Sequence, residues 1–424
     1  MPPVLRPYRD LLTTPGGLRF SLSGFVARMP IAMVPLGIVL LVAGSTGRYG
    51  VAGGVSAMFA LVNAVSAPLI ARLIDRVGQR RVLLPAVALH GLSLGGFIVA
   101  VTTEAPTWTW FLGAAATGLF APSIGSLVRA RWSHVLGPGA RLQTAFSYES
   151  VIDELIFIVG PLVVTVLATQ INPQAGLLAA FALLATGSAA LAAHRSSEPP
   201  PAPAHEHGGG SALWLPGMPL LVVVMFFVGG VFGGVEISAV AFADHEGRSE
   251  LAGPLLACYA TGSMLAGLAF GAVHWRISVP RRFLLGALMM TITVALLPLA
   301  DRPAVLAPAL VLAGIGIAPT LISGLSLVER MVPAAKMTEG LTWATTGVVV
   351  GLAVASPIAG RVVDEWGAQR GFLVGLASGT AAVAVCAAGY QRMSERARAV
   401  PDEQPARVPP APGAESSDLG QRHP

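Results

Sequence analysis

The chain has 424 residues, 54% of them hydrophobic and 12% charged, with a formal net charge of +5 and a mean hydropathy of +0.69. Soluble domains carry about a quarter charged residues, so this composition excludes an ordinary water-soluble core and makes lipid the solvent for much of the chain. Every basic residue except Lys336 is arginine, and these scatter between apolar stretches. That pattern fits topology signals and excludes a nucleic-acid patch.

Met1 to Arg19 is short, polar and basic, and it leads into an apolar run long enough to remain in the bilayer as a first span. A span takes about 20 apolar residues. The runs predict twelve spans, near 20–43, 51–74, 82–102, 108–130, 143–168, 174–193, 218–241, 251–274, 282–300, 304–327, 341–361 and 371–391. The stretch from Arg195 to Ser211, RSSEPPPAPAHEHGGGS, reads as a flexible linker, with His205 and His207 solvated rather than metal-binding. The expected organisation is a segment 1–19, a six-span unit 20–195, a linker 196–213, a six-span unit 214–392 and a disordered tail 393–424. Cys258 and Cys386 sit in apolar runs, with neither disulfide nor metal-ligand spacing.

Basic residues set the orientation. Arg72, Arg76, Arg80, Arg81, Arg129, Arg131, Arg141, Arg195, Arg276, Arg281, Arg282, Arg330 and Lys336 fall on one side; Arg48, Arg248, Arg302, Arg361 and Arg370 fall on the other. Both termini are therefore expected in the cytosol of a multi-pass cell-membrane protein.

The halves are related. Ala52, Gly53, Ala57, Ala60 and Arg76 match Ala252, Gly253, Ala257, Ala260 and Arg276 in constant register, and Ala121-Pro122 matches Ala318-Pro319. Two homologous six-span units imply a central cavity between them.

Residues 71–84 read ARLIDRVGQRRVLL. Leu73, Asp75, Arg76, Gly78 and Arg80 or Arg81 make this loop resemble the signature loop of the major facilitator superfamily, with Ala71 for the opening glycine and Gln79 for a basic residue. The second-half counterpart at 271–285 keeps Gly271, Arg276, Arg281 and Arg282, with Trp275 in place of the acid. The resemblance implies an all-α membrane protein of two pseudo-symmetric six-helix bundles. Gly78 permits the tight turn. Asp75 is placed to accept a bond from an arginine or to face a helix N-terminus. The resemblance implies that this helix is span eleven, starting near Leu341, and that the contact latches the halves shut on the cytosolic side.

Ionisable groups at membrane depth cost about 2.5–3.5 kcal/mol each on insertion scales, so those present are candidate functional groups. Arg28 lies in span one, and Glu149, Asp153 and Glu154 lie in span five. Glu149 and Asp153 share a face, while Glu154 is turned about 100° from Asp153. Arg28 is expected to pair with Glu149 or Asp153, and another acid to face the cavity; Asp153 or Glu154 is the candidate proton carrier. Glu236 lies in span seven among Gly229, Gly230, Gly233 and Gly234, which permit close packing or bending. It is a candidate for a cationic or polar substrate or a second proton. Asn63 and His90 are expected to bridge helices. Gly160 and Pro161 are expected to weaken span five locally. They are what remains of the glycine-rich stretch found in proton-coupled exporters of the resembled family. Those exporters also carry an arginine early in span four, which TWTWFLGAAATGLFAP lacks.

The reading is a secondary transporter working by alternating access, expected to be a proton-coupled exporter of a small apolar solute, with uptake or a non-transporting sensor as alternatives. No zinc, nucleophile-elbow or phosphate-loop motif is present, so no enzyme activity and no cofactor are expected. The expected partners are a small-molecule substrate, the bilayer and protons, with no nucleic acid, and the chain is expected to act as a monomer.

Overall fold

The computed structural model describes residues 6–46, 49–201, 210–248, 251–273 and 275–399. Residues 400–424 of the expected disordered tail, His205, His207 and Arg48 lie outside them, whereas residues 393–399, expected to be disordered, continue the last helix. The described chain forms α1 (Arg6–Leu12), α2 (Gly17–Arg28), α3 (Pro30–Thr46), α4 (Tyr49–Val77), α5 (Gln79–Thr102), α6 (Thr107–Leu119), α7 (Ile124–Leu136), α8 (Ala140–Gln170) and α9 (Ala175–Ala193) in its first half. The second half forms α10 (Met218–His245), α11 (Ala252–Ala272), α12 (Val279–Val294), α13 (Pro303–Ile315), α14 (Ile317–Met331), α15 (Met337–Trp366) and α16 (Ala368–Ala399). Among the described residues these give twelve helical segments long and apolar enough to cross a membrane, from Gly17–Ser45 to Ala368–Ala397.

The helices overrun several of the expected spans. α8, α15 and α16 each run a few residues past both predicted ends, and α16 passes the predicted unit end at 392. Hydropathy falls at the first charge, whereas i→i−4 bonding continues into the headgroup region without cost. Span one is two helices meeting at Met29, where Pro30 brings no N–H. Spans four and ten are also made of two helices each. The matched dipeptides Ala121-Pro122 and Ala318-Pro319 sit at or just after these junctions, so the repeat seen in sequence is a repeat of interrupted helices.

Gly160-Pro161 does not interrupt α8, which is continuous over 31 residues. A Cβ on Gly160 would lie 2.9 Å from that of Ala32, so this glycine allows α8 to press against α3. The glycines of α10 likewise serve packing within an unbroken helix: a Cβ on Gly229 would stand 1.9 Å from the Val348 carbonyl oxygen of α15.

Two apolar cores organise the molecule. One, from Met29 to Ala180, lies wholly within the first six spans. The other fills the second six and continues into Leu11, Phe20, Ile74, Trp132 and Phe146 of the first. The shared portion lies at the end carrying α1, the turn Arg195–Ser197 and Ser211, termed here the linker face. The two halves thus have a common core at that face, whereas toward the opposite face the first half closes on itself.

Candidate functional site

Three groups of polar side chains sit where the bundles are built and joined. The first lies inside the first bundle. Arg28, 3% exposed, donates to Glu149 Oε2 at 2.6 Å and to Asp153 Oδ1 at 2.7 Å. The other Asp153 oxygen accepts from Arg129 at 2.6 Å. Glu149, fully buried, also accepts from Ser21 at 3.1 Å and from the Trp132 indole at 2.8 Å. Spans one, four and five thereby contribute two cations and two anions that neutralise one another, and each carboxylate oxygen has a donor. Arg28 meets both acids rather than one. Arg129, counted in the sequence as a loop charge, is instead buried in α7 and part of the network. Its position near a span end gave no sign of this. Arg131, counted the same way, is also buried in α7.

The second group closes the linker face. Asp75, at the end of α4, accepts from the backbone N–H groups of Thr338 at 3.2 Å and Glu339 at 2.8 Å. These are first-turn donors of α15 with no partner inside the helix, where the helix dipole favours an anion. The helix start is Met337, one turn before the expected Leu341, because the 3-10 turn Ala334–Lys336 feeds directly into it. Among the described residues Asp75 has no arginine pair, and the Thr338 side chain joins the two backbone donors. Arg76, Arg80 and Arg81 are exposed, and Gly78 takes φ 105° at the turn. Glu339, unnoticed in the sequence, is buried; it accepts from Ser211, from the Ala212 N–H at 3.0 Å, and lies 3.7 Å from Arg72.

Further hydrogen bonds without an acid join the same face. The Tyr8 hydroxyl donates to the Leu268 carbonyl at 2.7 Å, Thr144 donates to the Gly271 carbonyl at 2.9 Å, and Arg282 donates to Gln143. Burial pushes the Tyr8 hydroxyl up to about 12, so it stays a donor throughout the neutral range. Gln79, the departure from the signature loop, receives Arg131 at 2.7 Å, and Arg131 also reaches the His194 carbonyl at 2.8 Å. The substitution therefore anchors the start of the linker.

The third group stands between the bundles, nearer the middle of the spans. Glu154 is outside the arginine network, and the neighbouring Asp153 and the Glu236 carboxylate of α10 act on it electrostatically. Glu154 and Glu236 both act on Tyr259 of α11, whose ring meets Phe232 edge-on with centroids 6.1 Å apart. Ser263, one turn along α11, stands beside Glu154 short of hydrogen-bond geometry. Tyr259 and Ser263 are buried, and among the described residues the Tyr259 hydroxyl has no hydrogen-bond partner. Among the described residues neither Glu154 nor Glu236 forms an ion pair. The sequence marked both acids but gave no sign of the two hydroxyls, since serine and tyrosine are common in apolar helices.

Asn63 donates to the Gly118 and Ala121 carbonyls at 3.2 and 3.0 Å, and His90 bonds the Thr117 carbonyl at 2.9 Å, so both bridge helices as expected. Cys258 and Cys386 are free. No cluster of three metal-ligating side chains occurs among the described residues.

The fold is similar to that of solved transporters. A human organic anion transporter, MFSD10 (TETRAN), superimposes with a TM-score of 0.67 at 17% identity, covering 91% of this chain and all of that one. A bacterial homologue of the iron transporter ferroportin in an outward-facing state gives 0.68 at 15% identity, covering 89% and 99%. The transporter FucP in an outward conformation gives 0.62 at 12%, covering 89% and 98%. At these identities the likeness is one of fold. No protein of curated function matches the chain in sequence. The family model of the Major Facilitator Superfamily matches residues 20–347. With its twelve spans, its paired bundles and this match, the chain belongs to the Major Facilitator Superfamily of membrane transporters.

Proposed function

We propose that this protein is a proton-coupled secondary transporter that exports a small solute by alternating access. The linker face lies in the cytosol with both termini, the chain sits in the cell membrane, and it acts as a monomer. The observation that carries this reading is the unequal joining of the bundles. The second core reaches into the first bundle at the linker face alone, beside the Asp75, Tyr8, Thr144 and Arg282 contacts. A transporter closed at the cytosolic face and open outward has this form, and the two bundles then rock about the midplane to expose the site to the other side.

The proton carrier is Glu154 rather than Asp153. Protonating Asp153 would break two ion pairs and leave Arg28 and Arg129 short of countercharge. Glu154 carries no such pair and stands at the seam that opens and closes, so its hydration changes with the state of the transporter. The mostly Ala, Gly, Val and Leu lining of the cavity spans suits a solute with a large apolar part.

Purified protein in proteoliposomes, with a panel of cationic, neutral and anionic solutes and an imposed pH gradient, tests this. Gradient-driven flux of one solute class is expected. Glu154→Gln should abolish that flux while sparing equilibrium exchange of the same solute; equal loss of both contradicts the coupling role, and no flux of any solute contradicts transport.

A further inference from the structure

We propose that the linker face holds a binding pocket for a phosphate-class anion, either free phosphate or the phosphate of a lipid headgroup, and that the anion ties the two bundles together there. The pocket, of about 200 Å³, lies between the first turn of α8, from the first bundle, and α12 and α14 of the second. Drug-sized solutes occupy about 300–1,000 Å³, so the space suits one small group. Three polar atoms of its wall have no partner among the described residues: Gln143 Nε2, Arg282 Nε and the Ser326 hydroxyl. Arg282 is 9% exposed and Ser326 8%, and buried polar groups are ordinarily satisfied. Arg282 already donates to Gln143 Oε1, which occupies the oxygen of that amide and leaves its nitrogen as a donor. Arg330 also lines the pocket, and among the described residues neither arginine forms an ion pair.

Two helices also start at this pocket. Gly139 and Ala140 open α8, Val279 opens α12, and neither helix has a side-chain cap. Their first-turn N–H groups have no acceptor inside the helix and carry the positive end of its dipole. Glu329 is the acid of the wall, and it has a partner of its own; two arginines and two helix starts outweigh it. Trp275, which stands where the signature loop has its acid, lines the pocket too, so that departure keeps a second negative charge out. A cation here would face both arginines, and an apolar group would leave three polar atoms unmet. An oxyanion can accept from all of them. Gln143 belongs to the first bundle, and Arg282, Ser326 and Arg330 belong to the second, so one anion bonds to both. The consequence for the cycle rests on the transport reading: occupancy favours the state closed at the linker face.

The test uses the full chain in uncharged detergent. Equilibrium dialysis measures binding of labelled inorganic phosphate, and native mass spectrometry measures binding of phosphatidic acid and of diacylglycerol, which has the same chains without the phosphate. Saturable binding of phosphate or phosphatidic acid, and none of diacylglycerol, is expected. Displacement of the lipid by inorganic phosphate would show that the free ion suffices, and binding of phosphatidic acid alone would identify the headgroup as the source; either supports the pocket. Arg282→Gln should weaken binding at least about tenfold and Ser326→Ala about threefold. Arg282→Lys, which keeps the charge, should retain part of it. Arg195→Gln, at an exposed arginine of the same face outside the pocket, should leave it unchanged. A thermal midpoint for each variant separates lost binding from lost folding, and Ser326→Ala, the smallest change, keeps the test decisive if an arginine variant unfolds. No saturable binding of either phosphate probe, equal binding of diacylglycerol, or unchanged affinity in both Arg282→Gln and Ser326→Ala overturns the pocket. Spin labels at the exposed positions 80 and 276, with Cys258 and Cys386 replaced by alanine, should shift toward the shorter distance when the anion binds; a distribution that stays put while the anion binds refutes the tie between the bundles. Binding without flux of any solute would refute transport and leave the pocket standing.

Discussion

At the residue scale, the charges inside the first bundle divide by partnership. Glu149 holds three donors in a site with no access to water. Replacing one member of a buried pair leaves the other uncompensated, at a cost of about 3–5 kcal/mol. Glu149→Gln should therefore lower the thermal midpoint in detergent more than the double variant Arg28→Met/Glu149→Met does. A smaller loss in the single variant would show that the network contributes nothing specific. The Tyr8 hydroxyl is a single neutral hydrogen bond, of about 0.5–1.5 kcal/mol. Tyr8→Phe should raise the labelling rate of a cysteine placed at Ser147, which lies beside Tyr8 and Gly271; an unchanged rate would mean that α1 does not help to close the linker face. How legible these residues were depended on charge and spacing. Arg28, Glu149 and Asp153 were readable because an ion at membrane depth requires a partner and a four-residue step keeps two acids on one face. Tyr8 and Thr144 carry no charge, and their acceptors are backbone carbonyls some 130 to 260 positions away. Nothing local in the sequence marks such a contact.

At the element scale, helix pairs are fitted through missing side chains. α10 and α15 approach so closely that a Cβ on Gly229 or Gly351 would fall within 2 Å of the facing carbonyl oxygen of Val348 or Phe226. Gly229→Ala should cost about 1–3 kcal/mol by overpacking, whereas Gly53→Ala, with nothing within 4 Å of its Cβ position, should leave the thermal midpoint unchanged or slightly raised by helix propensity. Comparable losses in both would show that the α10–α15 approach is not tight. The glycines were visible in the sequence, but the choice between bending and packing was not, because it depends on what faces the helix. Pro161 shows the same limit. A proline inside a helix removes one bond, and in α8 the neighbouring helices hold the rest of the helix in line. The latch between α4 and α15 was read from a five-residue pattern, but its register was off by one turn because hydropathy does not see the polar first turn of a helix.

At the scale of the whole molecule, two six-span bundles meet in a shared core at one face and separate toward the other. The twelve spans, the central division and the internal repeat were all legible, since hydrocarbon thickness sets span length and the repeat keeps its register. The closing contact of Asp75 with α15 was implied by the signature loop, whereas the contact of Tyr8 with α11 at the same face was not legible, because nothing local in the sequence marks it. Asp75 makes two charge-assisted bonds to α15, each of about 1.5–3 kcal/mol. Neutralising it should weaken closure by enough to shift a two-state population about tenfold. Paired spin labels report this directly in proteoliposomes, with Cys258 and Cys386 replaced by alanine: one pair at the exposed positions 81 and 281 of the linker face, another at 104 and 301 of the opposite face. Rocking predicts that Asp75→Asn lengthens the 81–281 distance and shortens the 104–301 distance in the same population of molecules. Distributions that stay unchanged, or faces that open together, would contradict a cytosolic latch that couples the two sides.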